Sequence, residues 1–221
     1  QMCIRDSLLG MPLQFRIRLS SIDPAHLSDR LISLMAGHRD RLCPHLHLSM
    51  QSGNTLILKR MRRRATREIL LERVSALREA IPDVVLSADV LVGFPTESDE
   101  HFADTLTAVE VLNIAFPHVF TYSKRPGTPA ARIPSQLPRA VKRERAERVR
   151  ALGKQVWRKQ ARGMLGRKLP VLVEKYGGGD DGSVTGRADN YFTVRLSADA
   201  ATEDWQEIEI TGVEDGVLVA R

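Results

Sequence analysis

Four short polar segments carry residue types that could hold a polar ligand, and each follows an apolar, strand-like stretch. Serine hydroxyls, a glutamine amide and backbone next to glycine can hydrogen-bond the ribose, amino and carboxylate groups of such a ligand. In parallel α/β sheets the ligand site lies outside the carboxyl ends of the strands, where these segments would meet. Any one of them could be an ordinary loop, but four such segments at the same edge of the sheet favour a ligand site. The candidate contacts are Ser20 and Ser21, then Gln51, Ser52 and Gly53, then Gly93, and last Tyr122, Ser123 and Arg125.

A carboxylate and three histidines raise further chemistry. Asp89 lies inside an apolar strand, where a buried carboxylate needs a partner, so both a ligand contact and a structural salt bridge fit it. His45 and His47 share one face of another strand, and with Asp89 and His118 they suggest an alternative, an HxH metal-dependent hydrolase. Both histidines come at the start of their predicted strand, far from its carboxyl end. We therefore interpret them as core or supporting residues.

The elements that would position these residues alternate between strand and helix. Asp23 as N-cap and Pro24 in the first turn begin the first predicted helix. This alternation predicts a parallel sheet, and four strands make a partial barrel or open sheet rather than a closed eight-stranded barrel. The predicted strands are 13–20, 45–50, 84–94 and 116–123, and the predicted helices are 23–38, 55–61, 66–81, 98–114 and about 139–165.

After the last helix, the pattern changes to short strands separated by Gly and Asp turns, which predicts a small all-β barrel. The sequence thus predicts an α/β domain at 13–165, a partial (β/α) barrel ending in a basic helix, and an all-β domain at 166–221. Residues 1–12 show neither periodicity nor a cap, and we leave them as an unassigned leader or truncation edge.

Charge is segregated along the chain, although the net charge is only +6. Residues 139–168 hold 12 Lys and Arg against 2 Asp and Glu, whereas residues 169–221 hold 4 against 11. Solvated helix faces explain many such runs, and a polyanion such as RNA is the more specific explanation. The candidate RNA contacts are Lys59, Arg60, Arg62, Arg63, Arg64 and Arg67 in one cluster, and Arg143, Arg150, Arg158 and Lys159 on the long helix.

Composition excludes several classes of protein. The chain is 43% hydrophobic, enough for a sizeable core, and it has no apolar run of the ~20 residues that a membrane helix needs. It also lacks a signal-peptide pattern at its start, so we expect a cytoplasmic protein without a membrane partner. Cys3 and Cys43 are the only cysteines and are not in CxxC spacing, which excludes a disulfide framework and a complete cysteine metal site.

Five segments resemble, in order and spacing, the radical S-adenosylmethionine tRNA methylthiotransferases: "RLSSIDP", "CPHLHLSMQSGNTLILKRMRRR", "DVLVGFPTES", "HVFTYSKRPGTPAARIP" and "KRERAERVRALG". The likeness covers residues 15–221 and is greatest to the branch that modifies N6-threonylcarbamoyladenosine next to the anticodon. The last part resembles that family's RNA-binding TRAM barrel. The resemblance implies an enzyme that adds a methylthio group to C2 of this adenosine, with S-adenosylmethionine and 4Fe–4S clusters as cofactors and tRNA as partner.

The resemblance also implies roles for the candidate residues. Ser20, Ser21, Gln51, Ser52 and the Gly93 turn would border the S-adenosylmethionine pocket. Tyr122 and Ser123 would close its far side, and Arg125 would face the cofactor or the RNA. The basic helix and the cluster would meet tRNA phosphates, with a salt-dependent affinity.

The chain departs from the family pattern in three ways: two substitutions, a missing loop and the charge of the last domain. Ser49 stands where much of the family has Pro and Thr96 where it often has Gly, and we interpret both as branch variation. The CxxxCxxC loop that holds the catalytic cluster is absent, and the family has it upstream of these segments. We therefore expect a C-terminal half that is inactive alone and has no catalytic or metal-binding residue of its own.

The third departure is the acidic charge of the last domain, since an RNA-binding barrel should be basic. Either Lys175, Arg187 and Arg195 form a local RNA-binding face, or the domain packs on the sheet while the helix holds the RNA. A cluster-free tRNA-binding module is the alternative function from another class, and the HxH hydrolase is a weaker one. We expect a monomer; the sulfur source and electron donor are not fixed by the sequence.

Overall fold

Apolar alternation and helical spacing build a parallel sheet in the first part of the chain. In the computed structural model, which describes residues 7–12, 15–174, 183–197, 204–214 and 216–220, four parallel strands lie in the order β1-β2-β3-β4. These strands are β1 (Ile17–Ile22), β2 (Leu42–Gln51), β3 (Val85–Val92) and β4 (Ile114–Thr121). The helices are α1 (Asp29–Gly37), α2 (Thr55–Arg60), α3 (Arg67–Ala80), α4 (Asp99–Val111) and α5 (Arg139–Arg162). The predicted α/β class with a parallel sheet is confirmed.

The two faces of this sheet differ in chemistry because side chains alternate along a strand. Leu46, Leu48, Leu86 and Val90 point to one face and are fully buried in a core shared with the helices. On the other face, His47 and Asp89 are half-buried, whereas His45 and Ser87 are buried. Burial of the apolar face against helices holds the sheet together, and the opposite face is left available for chemistry.

Two predicted boundaries near the start of the sheet are wrong. Asp23 caps only a 3₁₀ turn, Pro24–His26, and α1 begins after a second cap, in which Ser28 Oγ accepts from the Leu31 N–H. The second strand begins at Leu42 and contains Pro44, which a sequence argument excludes from a central strand. Pro44 is tolerated because the β1–β2 register shifts between the pairs Ile17–Leu42 and Leu19–Leu46. His45 and His47 therefore lie in the middle of their strand, not at its start.

The last part of the chain forms an all-β sheet of six strands in the order β8-β5-β6-β7-β10-β9. The strands are β5 (Lys168–Glu174), β6 (Val184–Ala188), β7 (Thr193–Leu196), β8 (Trp205–Glu209), β9 (Gly212–Glu214) and β10 (Val217–Val219). All neighbours are antiparallel except β7 and β10. Its closure into a TRAM barrel stays a prediction, as does the domain boundary, which falls in the turn between α5 and β5.

The all-β part packs on the polar side of the parallel sheet. Tyr191 stacks on His45 with ring centroids 4.4 Å apart, and Phe192 contacts Trp157 on α5 at 5.5 Å. Arg16 forms an ion pair with Asp189 at 3.0 Å, and Arg18 donates to the Ala188 carbonyl. No helix within the described ranges is long and apolar enough to cross a membrane.

Candidate functional site

One side chain from each parallel strand contributes to a row on the polar face of the sheet. Ser20 Oγ lies 3.1 Å from His47 Nδ1, and His47 Nε2 lies 3.3 Å from Asp89 Oδ1. The His118 ring is 5.0 Å from the His47 ring, because the register places His118 opposite Asp89. We call Ser20, His47, Asp89 and His118 the polar row.

The polar row can hold or move a proton. His47 Nδ1 can accept from the Ser20 hydroxyl, whereas its Nε2 faces the Asp89 carboxylate at ion-pair distance and has no hydrogen-bond partner among the described residues. Ser20 and His118 are exposed, which keeps both ends of the row open to a ligand. Phe120, two residues after His118, is 53% exposed and presents an aromatic surface on the same face.

His45 takes no part in the polar row. Its side chain is 2% exposed beneath Tyr191, and neither ring nitrogen has a hydrogen-bond partner among the described residues. Burial, with a smaller contribution from Arg18, lowers the pKa of His45 to about 3, so the ring is neutral. Of the two histidines of the HxH pair, His45 is thus buried and His47 is half-buried in the polar row. No group of three His, Cys, Asp or Glu within the described ranges could hold a metal.

Three of the four strand ends contain residues in the left-handed backbone region. Ser21, Gln51 and Thr96 have φ of 57°, 65° and 71°, and Gly93 has φ of 74°. A non-glycine residue there costs on the order of 1 kcal/mol, and such strain is concentrated at ligand and active sites. The strand ends are therefore shaped by the surrounding structure rather than by local preference.

The segment after β2 is split between the sheet edge and α4. Gln51 is half-buried at the edge, but Ser52 is fully buried, with its Oγ 3.2 Å from Thr105 Oγ1. The Gly53 N–H donates to the same hydroxyl, and a Cβ on Gly53 would lie 2.6 Å from the Asp104 carbonyl oxygen. The structure therefore places Ser52 and Gly53 against α4, away from the polar row.

The turn after β3 is held by a buried ion pair that the sequence argument missed. The Gly93 N–H donates to Glu97 Oε2 at 2.7 Å, and Glu97 Oε2 accepts from Arg145 of α5 at 2.6 Å. Both charged side chains are almost fully buried, and Arg145 also reaches Asp99 at 2.7 Å. Burial raises the pKa of Glu97, while the Gly93 amide and the Arg145 guanidinium act in the opposite direction.

At the end of β4, α5 closes over Tyr122. Lys142 Nζ donates to the Tyr122 carbonyl at 3.1 Å and lies 5.1 Å from the ring centroid, while Phe94 packs edge-on at 5.4 Å. The Tyr122 hydroxyl is buried and has no hydrogen-bond partner in the part of the chain that is described. A ligand atom could satisfy it. Ser123 and Arg125 lie exposed in the loop beyond.

The basic cluster after β2 contains two kinds of residue. Arg67 donates to the Gly53 carbonyl at 2.8 Å and the Asp104 carbonyl at 2.7 Å, Arg60 contacts Thr96 Oγ1, and Arg63 pairs with Asp23 at 3.6 Å. These three arginines fasten the strand ends. Lys59, Arg62 and Arg64 are exposed, as is Arg60.

The basic residues predicted on the long helix are all exposed. Arg143 pairs with Glu147 at 3.5 Å, and Arg150 donates to the Val119 carbonyl at 3.1 Å. Arg158 and Lys159 have no ion pair within the described ranges.

Both described arginines that could form a local RNA-binding face in the all-β part have partners. Arg187 lies 3.8 Å from Glu174 and donates to Thr193 Oγ1, and Arg195 pairs with Glu214. Lys175 lies outside the described residues.

Comparisons with known proteins agree with this architecture. Residues 4–109 match the radical SAM superfamily. A threonylcarbamoyladenosine tRNA methylthiotransferase from Rickettsia prowazekii is 37% identical over 97% of this chain and 49% of its own length. A tRNA-2-methylthio-N6-dimethylallyladenosine synthase from Acetivibrio thermocellus is 40% identical over 84% of this chain and 38% of its own length. The chain thus spans about half the length, or less, of these relatives.

Two solved structures are similar in fold. Coproporphyrinogen III oxidase from Escherichia coli, a radical SAM enzyme, aligns with a TM-score of 0.52 and 20% identity over 64% of this chain and 32% of that one. An N-terminally truncated Elp3 from Methanocaldococcus infernus aligns with a TM-score of 0.50 and 12% identity over 94% of this chain and 66% of that one. At these identities the likeness supports the fold alone.

Proposed function

Because the chain belongs to the radical SAM tRNA methylthiotransferase family, we propose that it contributes to an enzyme that places a methylthio group on C2 of an adenosine in tRNA. The observation that carries the proposal is the polar row, which brings one side chain from each strand to the face and edge where ligands of parallel sheets bind. The exposed Phe120 ring on the same face suits stacking against a base.

We propose N6-threonylcarbamoyladenosine as the adenosine modified. The relative whose printed name carries this group aligns over 97% of the chain. The chemistry of the face agrees, because a threonylcarbamoyl group has a carboxylate and amides, whereas a dimethylallyl group is apolar. Ser20, His118 and the exposed Arg125 are suitable partners for the polar group, and an isoprenoid would need an apolar pocket.

S-adenosylmethionine fits the open ends of the strands. The unpartnered Tyr122 hydroxyl, the Gln51 amide and the Asp89 carboxylate are groups that could hold its ribose, amino and carboxylate groups. When bound and reductively cleaved, this cofactor would supply the radical that activates the adenosine. In this proposal the residues of the chain bind and orient the cofactor and the base, and His47 lies between Ser20 and Asp89.

A 4Fe–4S cluster does not fit the described residues. Cys43, the one described free cysteine, is buried, and burial raises the pKa of its thiol, which disfavours the thiolate that iron requires. We propose that the cluster ligands belong to a part of the enzyme other than these residues. This observation also favours a second candidate, in which the chain alone is a cluster-free tRNA-binding module.

Nucleoside mass spectrometry of tRNA from cells lacking the gene for the complete protein tests the reaction. We expect 2-methylthio-N6-threonylcarbamoyladenosine to disappear and its precursor to accumulate. Loss of a different 2-methylthioadenosine would contradict the substrate, and no change in any 2-methylthioadenosine would contradict the reaction. S-adenosylmethionine binding by the chain alone and iron in the complete protein decide between the enzyme part and the cluster-free module, since the module predicts neither.

Complementation of the same cells tests the polar row. Asp89→Ala or His47→Ala in the complete protein should lower the modified nucleoside at least about tenfold, the loss expected for one directed hydrogen bond to a charged partner. Glu110→Ala, at an exposed carboxylate of α4, is the matched control and should restore modification fully. Full modification by both row variants would contradict the site.

A further inference from the structure

A groove of about 870 Å³ lies between α5, β4 and the turn that joins β9 to β10. One of its walls carries Arg150, Lys154, Arg158 and Arg162, which we call the basic row. These residues recur every fourth position on α5, so they lie one above another on one side of the helix. At 1.5 Å per residue, neighbouring charges are about 6 Å apart and the row is about 18 Å long.

The basic row is electrostatically unfavourable for the isolated helix. Like charges at i,i+4 repel each other, with a cost of ~0.2–0.5 kcal/mol per pair. The first half of α5 avoids this cost, because Arg143 pairs with Glu147 and Arg148 with Glu144. Lys154, Arg158 and Arg162 have no ion pair in the part of the structure that is described. Folding therefore gives no reason for the row, whereas an anionic ligand does.

The opposite wall of the groove is apolar and aromatic. Phe116 and Pro117 of β4 form this wall. Trp157 lies on α5 itself, between two members of the basic row, and both aromatic side chains also pack against Phe192. A line of cations beside aromatic side chains is the combination by which proteins bind single-stranded nucleic acid, with phosphates on the cations and bases against the rings. An acidic peptide would use the cations but has no bases to place against the aromatic side chains that line the groove.

The groove is continuous with the polar row. His118 lines the groove and also contacts His47 at 5.0 Å. We propose that the groove binds a single-stranded segment of the RNA substrate, with its phosphates along the basic row, and that the strand leads from there to the polar row. The proposal rests on the proposed function, which it deepens by assigning the surface that holds the RNA.

This assignment accounts for the acidic charge of the all-β part. Val213 and Gly216 are its described contributions to the groove, and both are uncharged. The all-β part closes one end of the groove, and α5 supplies the positive charge. The groove also differs from the sequence prediction, since Lys154 and Arg162 join Arg150 and Arg158, while Arg143 and Lys159 are not among the lining residues.

The test measures binding of a synthetic anticodon stem–loop RNA to the complete protein by fluorescence anisotropy at several salt concentrations. The groove variant is Lys154→Ala/Arg158→Ala/Arg162→Ala, and the matched control is Arg132→Ala/Arg139→Ala/Lys168→Ala, which removes three exposed cations outside the groove. We expect the groove variant to lose at least about tenfold in affinity and its log–log salt slope to fall by about 2, from ~0.7 per phosphate contact. The control should change affinity less than about threefold.

Three further measurements make the outcome decisive. The charge-conserving Lys154→Arg/Arg158→Lys/Arg162→Lys variant should keep the slope, which separates charge from packing. Single-stranded RNA should compete better than duplex RNA or polyglutamate; equal competition by polyglutamate would overturn the assignment to nucleic acid. Equal losses in the groove variant and the control, or no loss in either, would overturn the groove. Unchanged RNA binding by the groove variant, with 2-methylthioadenosine lost from cells lacking the gene, would overturn the groove alone. Unchanged 2-methylthioadenosines in cells lacking the gene, with the predicted binding loss in the groove variant, would overturn the reaction alone.

Discussion

The basic cluster at Lys59–Arg67 and the basic row on α5 have similar local charge, but their cations make different contacts. In the cluster, Arg67 makes hydrogen bonds to two backbone carbonyls and Arg63 pairs with a carboxylate. In the row, Lys154 and Arg158 project into a groove without an ion pair among the described residues. Charge density alone therefore does not identify a nucleic-acid surface. The direction of each guanidinium, toward the protein or toward a groove, decides its function.

The same contrast divides α5 into two halves. Lys142 and Arg145 in its first half reach the ends of β3 and β4, where they hold the Tyr122 carbonyl and Glu97. The second half carries the basic row. The helix thus fastens the candidate site with one half and borders its approach with the other, and substitutions in the two halves should have different signatures.

Removal of Arg145 should give the largest effect. Arg145→Leu leaves Glu97 buried without its cation, and breaking a buried pair in this way costs about 3–5 kcal/mol. Urea unfolding measures the loss, and Arg143→Leu, at an 80% exposed position on the same helix, should change stability by less than ~0.5 kcal/mol. Adding Glu97→Gln to Arg145→Leu should recover part of the loss, because the amide still accepts from the Gly93 N–H. Equal free energies of unfolding for the two variants would contradict the distinction between arginines that hold the fold together and arginines that are exposed.

Arg67 tests the same distinction inside the cluster. Arg67→Met should cost about 2–3 kcal/mol, since two charge-assisted hydrogen bonds to carbonyls are lost. Arg64→Met, at an exposed position three residues earlier, should leave the unfolding midpoint unchanged. The two variants should differ less in their affinity for the stem–loop RNA than in their free energy of unfolding. A large stability loss in Arg64→Met would contradict the division of the cluster.

Local pattern predicted the strands, most helices and the polar strand ends, because alternation and caps are properties of neighbouring residues. The polar row could not be predicted in this way. The sequence grouped His47, Asp89 and His118 only as a possible metal site. Asp89 meets His118 through the β3–β4 register, and His47 was placed at the start of its strand, which begins at Leu42 instead. Arg67 and Arg145 bond to groups of the protein itself, at Asp104 and Glu97. These contacts depend on how the elements pack, so counting charges along the sequence could not predict them.

His45, unlike the arginines of the cluster and the row, carries no positive charge in the folded protein. Its pKa of about 3 keeps it neutral, whereas the unfolded chain protonates it below about pH 6.5. The unfolded state therefore binds more protons between these values, and stability falls as pH falls. Between pH 6.5 and 5 this contributes about 2 kcal/mol, at about 1.4 kcal/mol per pH unit. His45→Phe should flatten that part of the stability–pH curve measured by urea unfolding, and a curve parallel to that of the wild type would contradict a buried neutral His45.

Gly153 tests the groove by its shape rather than its charge, and we expect the smallest effect. A Cβ at Gly153 would lie 2.3 Å from Pro117 Cγ, so α5 must move away from β4. Overpacking of this kind costs about 1–3 kcal/mol, while alanine gains about 1 kcal/mol in helix propensity, which leaves a net loss of roughly 1 kcal/mol. Gly37→Ala, with no atom within 4 Å of the added Cβ, is the control and should be neutral or stabilising. Because the shift separates the basic row from the aromatic wall, Gly153→Ala should also weaken stem–loop binding without lowering its salt slope. Stabilisation equal to that of Gly37→Ala would mean that α5 does not pack on Pro117 as described.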